Sequence, residues 1–247
     1  MKNLYRFLAG REYPGRGICI GLSPDRQTLA MAYWIMGRSE NSRNRIFEAL
    51  PDGSGIRTCA ADPAKLKDPH LIIYSPVRTW RHTAIITNGD QTDTIYQYME
   101  ENNCPGYSFE AALASRTFED DAPNWTPRIS AAADMRTGSY KLSILKSSEG
   151  DPAGLLRQTF DVPFPLPGQG HLITTYVDNG SPLPSFAGEP VSVTAEDAGS
   201  EEFARKLWAA LNADNRVSLF VRQAHLADGS YHDEIINQYS RKDADHE

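Results

Sequence analysis

The sequence predicts a layered α+β fold, and three observations support this prediction. Short apolar, β-branched or aromatic runs dominate the first third of the chain, with Pro-Gly, Ser-Pro-Asp and Asp-Gly turn signals between them. The hydrophobic period then changes to that of amphipathic helices, and strand-like runs return afterwards. Because the strands are grouped and do not alternate strictly with helices, an α+β arrangement is favoured over a doubly wound parallel sheet.

The elements follow one another in a definite order. In the first third, strands are predicted at residues 18–22, 28–36, 71–74 and 83–87. Apolar residues spaced by one helical turn then predict amphipathic helices at residues 92–101 and 108–116. Strand patterns return at residues 140–145, 172–177, 191–194 and 217–221.

A strong helix is predicted near the C-terminus, beginning at Ser200 as the N-cap residue. Two glutamates follow in its first turn, where they stabilise the positive end of the helix dipole. Phe203, Leu207 and Leu211 then share one apolar face. A short last helix is expected at residues 233–239, followed by a solvated tail.

Length and composition favour an ordinary folded protein. The chain has 247 residues, 40% of them hydrophobic and 23% charged, and no linker-like stretch divides it. We therefore expect one domain spanning residues 1–247. Its core is expected at about residues 1–146, and the C-terminal part, residues 147–247, completes or covers that core.

The net charge limits the class of binding partner, and the cysteines indicate the location of the protein in the cell. The formal net charge is −7, which argues against a nucleic-acid partner because such domains usually carry a basic face. The apolar runs are too short to span a bilayer, and no signal peptide is recognised. Three cysteines at unrelated spacings are typical of reduced thiols, so a cytoplasmic location is expected. Self-association into a homo-oligomer is left open.

Several familiar sites are not indicated by the sequence. There is no Cys-x-x-Cys or His-Glu-x-x-His motif, and the histidines are scattered, so no metal site is predicted. Phosphate-binding and dinucleotide-binding glycine motifs and the Gly-x-Ser-x-Gly elbow are also missing from the sequence. The Pro14-Gly15-Arg16-Gly17 stretch can bring backbone amides to an anion, but a turn before a strand explains it more simply.

The densest polar stretch, residues 36–45, follows directly after a predicted strand. It combines Arg38, Arg43 and Arg45 with two serines and two asparagines. Guanidinium groups hold phosphate or carboxylate oxygens through paired hydrogen bonds. The stretch therefore indicates recognition of a small anionic ligand, with an ion-paired structural loop as the alternative.

Three further polar stretches have two interpretations each. Residues 87–94 end a strand and open a helix, so they are either turn and capping residues or an anion site. Residues 118–129 carry three successive carboxylates before Arg128, which form either a solvated face or an acid–base site. Residues 178–190 form an ordered loop that is structural or covers a pocket.

Four strings, read in order, resemble the archaeal-type inosine monophosphate cyclohydrolases. They are Arg38-Ser39 with Ser42-Arg43-Asn44-Arg45, Asp68-Pro69 followed by Ile73-Tyr74 and Arg78, Thr87-Asn88-Gly89 with Thr92-Asp93-Thr94-Ile95, and Asn124 with Thr126-Pro127-Arg128-Ile129-Ser130-Ala131-Ala132. The matches cover about the first 135 residues in the family's order. Beyond Lys146 the chain looks longer than the archaeal form and more like a bacterial branch.

The resemblance implies closure of 5-formamidoimidazole-4-carboxamide ribonucleotide to inosine monophosphate, the last step of purine synthesis. It also implies the four-layer αββα sandwich of the N-terminal-nucleophile hydrolases, without a metal or cofactor. Hydrolases of that fold expose a nucleophile as the first residue. Lys2 and Asn3 do not fit that requirement, so covalent catalysis of that type is not expected. A ring closure needs no protein nucleophile.

The matched strings give a hypothesis for the role of each site residue. Arg43, Asn44 and Arg45 hold the 5′-phosphate, and Asn124 belongs to the substrate-binding set. Arg38 and Asn88 fix the carboxamide and formyl oxygens of the substrate. Tyr74 orients or protonates the formyl oxygen, with a core tyrosine as the alternative. A carboxylate from Asp120 or Asp121, held by Arg128, handles the amide proton.

Two other functions compete with ring closure. One is an amidohydrolase of the same fold that acts on a nucleotide-like amide. The other is a non-catalytic nucleotide-binding module, in which the arginine cluster senses a nucleotide and the carboxylates are structural.

Overall fold

The computed structural model of the chain describes residues 1–66, 73–104, 108–196 and 198–241. Two antiparallel sheets dominate these residues. The six-stranded sheet has the order β11-β10-β1-β2-β12-β13. Its strands are β1 (Gly17–Leu22), β2 (Thr28–Met36), β10 (Gln169–Thr174), β11 (Val191–Thr194), β12 (Arg216–His225) and β13 (Tyr231–Asn237).

The seven-stranded sheet follows chain order from β3 to β9. Its strands are β3 (Ile46–Ala49), β4 (Ile56–Cys59), β5 (Val77–Trp80), β6 (Thr83–Thr87), β7 (Arg128–Asp134), β8 (Tyr140–Ser148) and β9 (Asp151–Val162). The α-helices of the described residues are α1 (Leu4–Ala9), α2 (Glu40–Arg43), α3 (Gln91–Asn102), α4 (Ser108–Ala112) and α5 (Ser200–Ala210). A 3-10 turn lies at Pro63–Lys65. The predicted α+β class is confirmed.

Within the described ranges, buried apolar side chains form three clusters. The largest contains residues of both sheets, such as Tyr33 of β2 and Ile144 of β8, so the two sheets pack face to face. The second joins α1 and α5 to the other face of the six-stranded sheet, where Trp34 is fully buried. The third joins α3 and α4 to the other face of the seven-stranded sheet. In each sheet, alternate side chains of the central strands therefore enter different clusters.

Most of the strongly patterned elements occur where the sequence predicts them. The predicted strands at residues 28–36 and 191–194 coincide with β2 and β11. The helix predicted at residues 92–101 is α3, one residue longer at each end. The helix predicted to start at Ser200 is α5, although its N-cap is Gly199 and Ser200 is its first helical residue.

The helix predicted at residues 233–239 is wrong, because residues 233–237 belong to β13. Strand β12 is buried along most of its length and needs a hydrogen-bonding partner on each side. It pairs with β2 on one side and with β13 on the other. Arg222 and Asp233 stand opposite each other in this pairing, and two hydrogen bonds of 2.7 Å join their side chains.

Strands β3, β4, β5 and β9 were not predicted. Of the strand predicted at residues 71–74, residues 71 and 72 lie outside the described residues, and residues 73 and 74 are not part of a strand. The described part of the chain contains no helix that is both long and apolar enough to cross a membrane.

The C-terminal part contributes four strands to the six-stranded sheet. Strand β10 lies directly beside β1, and β12 lies directly beside β2. Strands β1 and β2 come from the beginning of the chain. Because Gly17 is paired with both Trp34 and Thr174, the start of β1 lies at the same end of the sheet as the ends of β2 and β10. This end of the sheet carries the candidate site.

Candidate functional site

A cavity of about 350 Å³ opens where β2 and β10 end and β1 begins. Three arginines contribute to its wall: Arg16 from the turn before β1, Arg38 from the turn after β2, and Arg45 from the segment before β3. Two carboxylates, Glu119 and Asp121, enter the wall from the loop before β7. Cations and anions therefore share one concave surface.

Glycines set the direction of the chain at two points of the wall. Gly15 has a φ of 75°, and a Cβ there would lie 2.2 Å from the hydroxyl oxygen of Thr175. At Gly37, a Cβ would lie 2.7 Å from the backbone of Ser42. This close approach lets α2 fold back over the end of β2, and Ser39 and Ser42 close a capping box at its start.

The fold of α2 directs Arg45 into the protein. The Arg45 side chain is only 2% exposed, and its guanidinium donates to the carbonyl oxygens of Ser42 at 2.9 Å and Met36 at 3.5 Å. Burial and the nearby charge of Arg16 both lower the pKa of Arg45 below its ordinary value. Two cations held this close to each other favour a bound anion.

Glu119 is the buried carboxylate of the cavity. Its side chain is 12% exposed, and its Oε2 lies 3.7 Å from Nη2 of Arg16. Burial raises the pKa of Glu119 above its ordinary value, although Arg16 opposes this shift. In Arg16, burial opposes the charged form, but the charge of Glu119 and the contributions of nearby tyrosines together outweigh it, and the pKa rises well above the usual range.

Asp121, Thr126 and Tyr176 form a chain of hydrogen bonds. One of its oxygens accepts from the Thr126 amide at 2.6 Å, and the other accepts from the Thr126 hydroxyl. Because that hydroxyl has only one proton, the Tyr176 hydroxyl donates to Thr126 in turn. Burial raises the pKa of Tyr176 to about 12, so it remains a phenol at neutral pH.

Tyr74 forms a second hydroxyl contact near the cavity. Its hydroxyl lies 2.9 Å from that of Tyr33. Tyr33 is fully buried on β2, and burial together with Tyr74 raises the pKa of Tyr33 well above its ordinary value. Tyr74 acts electrostatically on Arg16 and Arg45, although it is not among the residues that line the cavity.

The structure brings together four of the residues predicted for the site. They are Arg38, Arg45, Asp121 and Asn124, which all line the cavity. Arg38 donates to Asn179 Oδ1 at 2.6 Å and to the Gly180 carbonyl at 3.1 Å, and its guanidinium stands 4.9 Å from the Tyr13 ring centre. These partners are neutral, so the positive charge of Arg38 stays available to a ligand.

Two predicted phosphate ligands face a different space. Arg43 and Asn44 line a separate cavity of about 620 Å³. Arg43 Nε donates to the Gly37 carbonyl at 2.9 Å, and the Asn44 amide exchanges two hydrogen bonds with the Asp62 backbone, at 2.7 and 2.9 Å. Asn44 thus fixes the chain, and of the three consecutive residues predicted to hold a phosphate only Arg45 lines the cavity of Arg16 and Glu119.

Three other predicted residues also lie apart from the cavity lining. Asn88 is buried and holds β6 to β7, since it donates to the Pro127 carbonyl and accepts from the Ile129 amide, both at 2.9 Å. Asp120 is exposed. Arg128 donates to Asp90 at 2.9 Å, and the charges of Arg128 and a second arginine lower the pKa of that carboxyl although partial burial opposes the shift. The predicted ion pair between Arg128 and Asp120 or Asp121 is thus replaced by a pair with Asp90.

The lining residues that the sequence does not assign to the site include Tyr13, Arg16, Glu119 and Tyr176. Glu119 belongs to the singled-out carboxylate run, but the sequence does not show which of three neighbours is buried. Arg16 lies in the glycine turn that was interpreted as structural. Within the described ranges, no three His, Cys, Asp or Glu side chains gather as a metal site would require.

Comparison with known proteins identifies the family to which the chain belongs. The chain is 28% identical over 197 residues to a protein named IMP cyclohydrolase from Methanothrix thermoacetophila, which covers 79% of this chain and 85% of that protein. It is 27% identical over 164 residues to a protein of the same name from Methanopyrus kandleri, covering 66% of this chain and 75% of that protein. A family model described as IMP cyclohydrolase-like protein matches residues 13–229, a range that contains every residue lining the cavity of Arg16 and Glu119. The chain therefore belongs to the IMP cyclohydrolase-like protein family.

Proposed function

We propose that the protein closes the purine ring of 5-formamidoimidazole-4-carboxamide ribonucleotide, which yields inosine monophosphate and water. The observation that carries this proposal is the buried Glu119 carboxylate, which stands beside Arg16 in a cavity lined by further arginines. The family and the names of the two archaeal relatives agree with this chemistry.

The cavity is suited to an anionic ligand. Arg38 and Arg45 supply two guanidiniums at one side of it, next to Ser39 and Ser42. Among the described residues, the buried Nε of Arg16 has no hydrogen-bond partner, and a buried donor of this kind normally has one. We assign Arg38 and Arg45 to the 5′-phosphate and Arg16 to an oxygen atom of the reacting arms.

The ring closure requires two proton transfers from nitrogen to oxygen. The carboxamide nitrogen attacks the formyl carbon and loses a proton, a new C–N bond forms, and the formyl oxygen gains a proton and becomes a hydroxyl. The formamido nitrogen then loses its proton, the hydroxyl gains a second proton, the C–O bond breaks, and water leaves as the ring becomes aromatic. Since both reacting groups belong to one molecule, holding them in the reactive rotamer contributes up to about 10 kcal/mol.

Glu119 is our candidate for the base that takes the amide proton. Its raised pKa brings the carboxyl closer to the range in which it both accepts and returns a proton. Asp121, which the sequence also suggests, has both oxygens occupied by Thr126. We therefore assign Asp121 to holding Thr126 and Tyr176 in place, and Tyr74 to the formyl oxygen as proton donor.

We extend the proposal to the fold family and to the location of the protein in the cell. Two sheets pack face to face, and helices cover the outer face of each sheet. This arrangement supports the four-layer αββα sandwich of the N-terminal-nucleophile hydrolases. The three cysteines at unrelated spacings support a cytoplasmic location.

An ultraviolet assay of purine-ring formation from the formamido substrate tests the function. The wild type is expected to turn over. Arg45→Ala should raise KM by ten-fold or more with little loss of kcat, because phosphate binding is shared by ground state and transition state. Arg43→Ala is the matched control, since Arg43 faces the other cavity, and it should leave KM unchanged.

Two results would contradict the proposal. Tight binding of inosine monophosphate without any turnover would indicate a nucleotide-binding module. Release of ammonia from a nucleotide amide without ring formation would indicate an amidohydrolase.

A further inference from the structure

The hydroxyl pair of Tyr33 and Tyr74 extends from the cavity region into the core between the two sheets. Tyr33 is fully buried in the largest apolar cluster, and its ring stacks on Phe47 with the ring centres 5.6 Å apart. Its hydroxyl lies 2.9 Å from the Tyr74 hydroxyl. A polar group placed this deep in an apolar cluster is costly unless it is hydrogen-bonded, so the contact between the two tyrosines calls for an explanation.

The direction of this hydrogen bond follows from the surroundings of Tyr33. A buried hydroxyl proton needs an acceptor, and the Tyr74 oxygen is the partner that the described residues offer to Tyr33. Tyr33 then donates and Tyr74 accepts. The proton of Tyr74 is therefore free to point elsewhere, and Tyr74 acts electrostatically on both Arg16 and Arg45.

We propose that Tyr33 is a positioning residue for ring closure: it donates to Tyr74 and thereby aims the Tyr74 proton at the departing formyl oxygen of the substrate. This inference rests on the proposed function. When Tyr74 gives its proton to that oxygen, the O–H bond of Tyr74 breaks and a phenolate remains. The Tyr33 hydroxyl and the two arginine charges stabilise this phenolate until the proton is returned from solvent.

Tyr33→Phe tests the inference, because it removes the hydroxyl and retains the ring that stacks on Phe47. We expect kcat to fall about tenfold with KM unchanged, as for one hydrogen bond used only after substrate has bound. In a Tyr74→Phe background, adding Tyr33→Phe should cause no further loss, because Tyr33 acts through Tyr74.

Tyr140→Phe is the matched control. Tyr140 is also a buried strand tyrosine in the same cluster, and its hydroxyl bonds to His171 at 2.6 Å. Its removal should leave kcat unchanged, although it deletes a comparable buried hydrogen bond. A kcat loss in this variant equal to that of Tyr33→Phe would overturn the inference, because a merely structural effect would then explain both.

Other outcomes separate this inference from the proposed function. A wild type that fails to close the ring would contradict the proposed function and the inference together. An active wild type with an unaffected Tyr33→Phe variant, or with losses that multiply in the double variant, would overturn the inference alone.

If Tyr33→Phe does not fold, 3-fluorotyrosine at position 33 provides a stronger donor of similar shape. It should change kcat and leave KM unchanged, and an unchanged kcat would overturn the inference.

Discussion

Arg16 and Glu119 meet at 3.7 Å in the wall of the cavity, although one precedes the first strand and the other lies in the loop before β7. The ion pair allows a carboxylate to be buried without losing its counter-charge. Burial nevertheless keeps the pKa of Glu119 above its ordinary value, although the Arg16 charge opposes this shift. Arg16 leads into the six-stranded sheet and Glu119 into the seven-stranded sheet, so this ion pair forms only when the two sheets have packed together.

Asn88 is expected to contribute to stability. Its buried amide joins the Pro127 carbonyl, the Ile129 amide and the Gln91 side chain. Asn88→Ala should lower the free energy of unfolding by about 2–3 kcal/mol, because it leaves buried groups without partners. Urea denaturation measures this change. Asn124→Ala, at a half-buried site, is the control and should cost less than half as much.

Asp233 is expected to be essential for the pairing of β13 with β12. It faces the fully buried Arg222, and the two side chains form two hydrogen bonds of 2.7 Å. Asp233→Ala should destabilise the protein by about 3 kcal/mol, because it leaves a buried guanidinium without its counter-charge. Thermal unfolding tests this, with Glu234→Ala as the neighbouring control. An equal Tm for both variants would argue against the energetic role of the pair.

The partial burial of His171 should make stability depend on pH. Burial lowers the pKa of His171 below its ordinary value of 6.5. The unfolded chain therefore binds a proton at higher pH than the folded chain does. The stabilisation is complete above pH 6.5 and is lost as the pH falls through the folded pKa. We expect a lower Tm at pH 5.5 than at pH 7.5, and a smaller difference in His171→Gln.

Much of the fold follows from hydrophobic period, and the exceptions have physical reasons. The run in β2 is buried on both faces, and α5 has one clear apolar face, so both are visible in the sequence. Strand β9 is largely exposed, and its first half contains Pro152 and Gly154, which disfavour a strand, so its pattern carries little signal. The β13 segment is intermediate in burial, and its conformation is decided by pairing with β12, a contact between strands that a local pattern does not contain.

The sequence indicates which segments of the chain form the site, but not which side chains of those segments line the cavity. Arg43 and Arg45 are two residues apart, and the turn of α2 over Gly37 decides which of them faces the cavity. In the carboxylate run, the Glu119 amide donates to the Thr126 carbonyl at 2.9 Å, which fixes the loop. Glu119 is thereby turned inward and Asp120 outward. Both decisions depend on tertiary contacts.

The turnover number of Glu119→Gln in the ring-closure assay tests the central claim most directly. The substitution preserves size and removes the proton acceptor, so kcat should fall by about 10²- to 10⁴-fold with a small change in KM. Asp120→Asn, which alters the exposed neighbour, should retain wild-type kcat. Normal turnover by Glu119→Gln, in a protein that folds like the wild type, would contradict the assignment of Glu119 as the base.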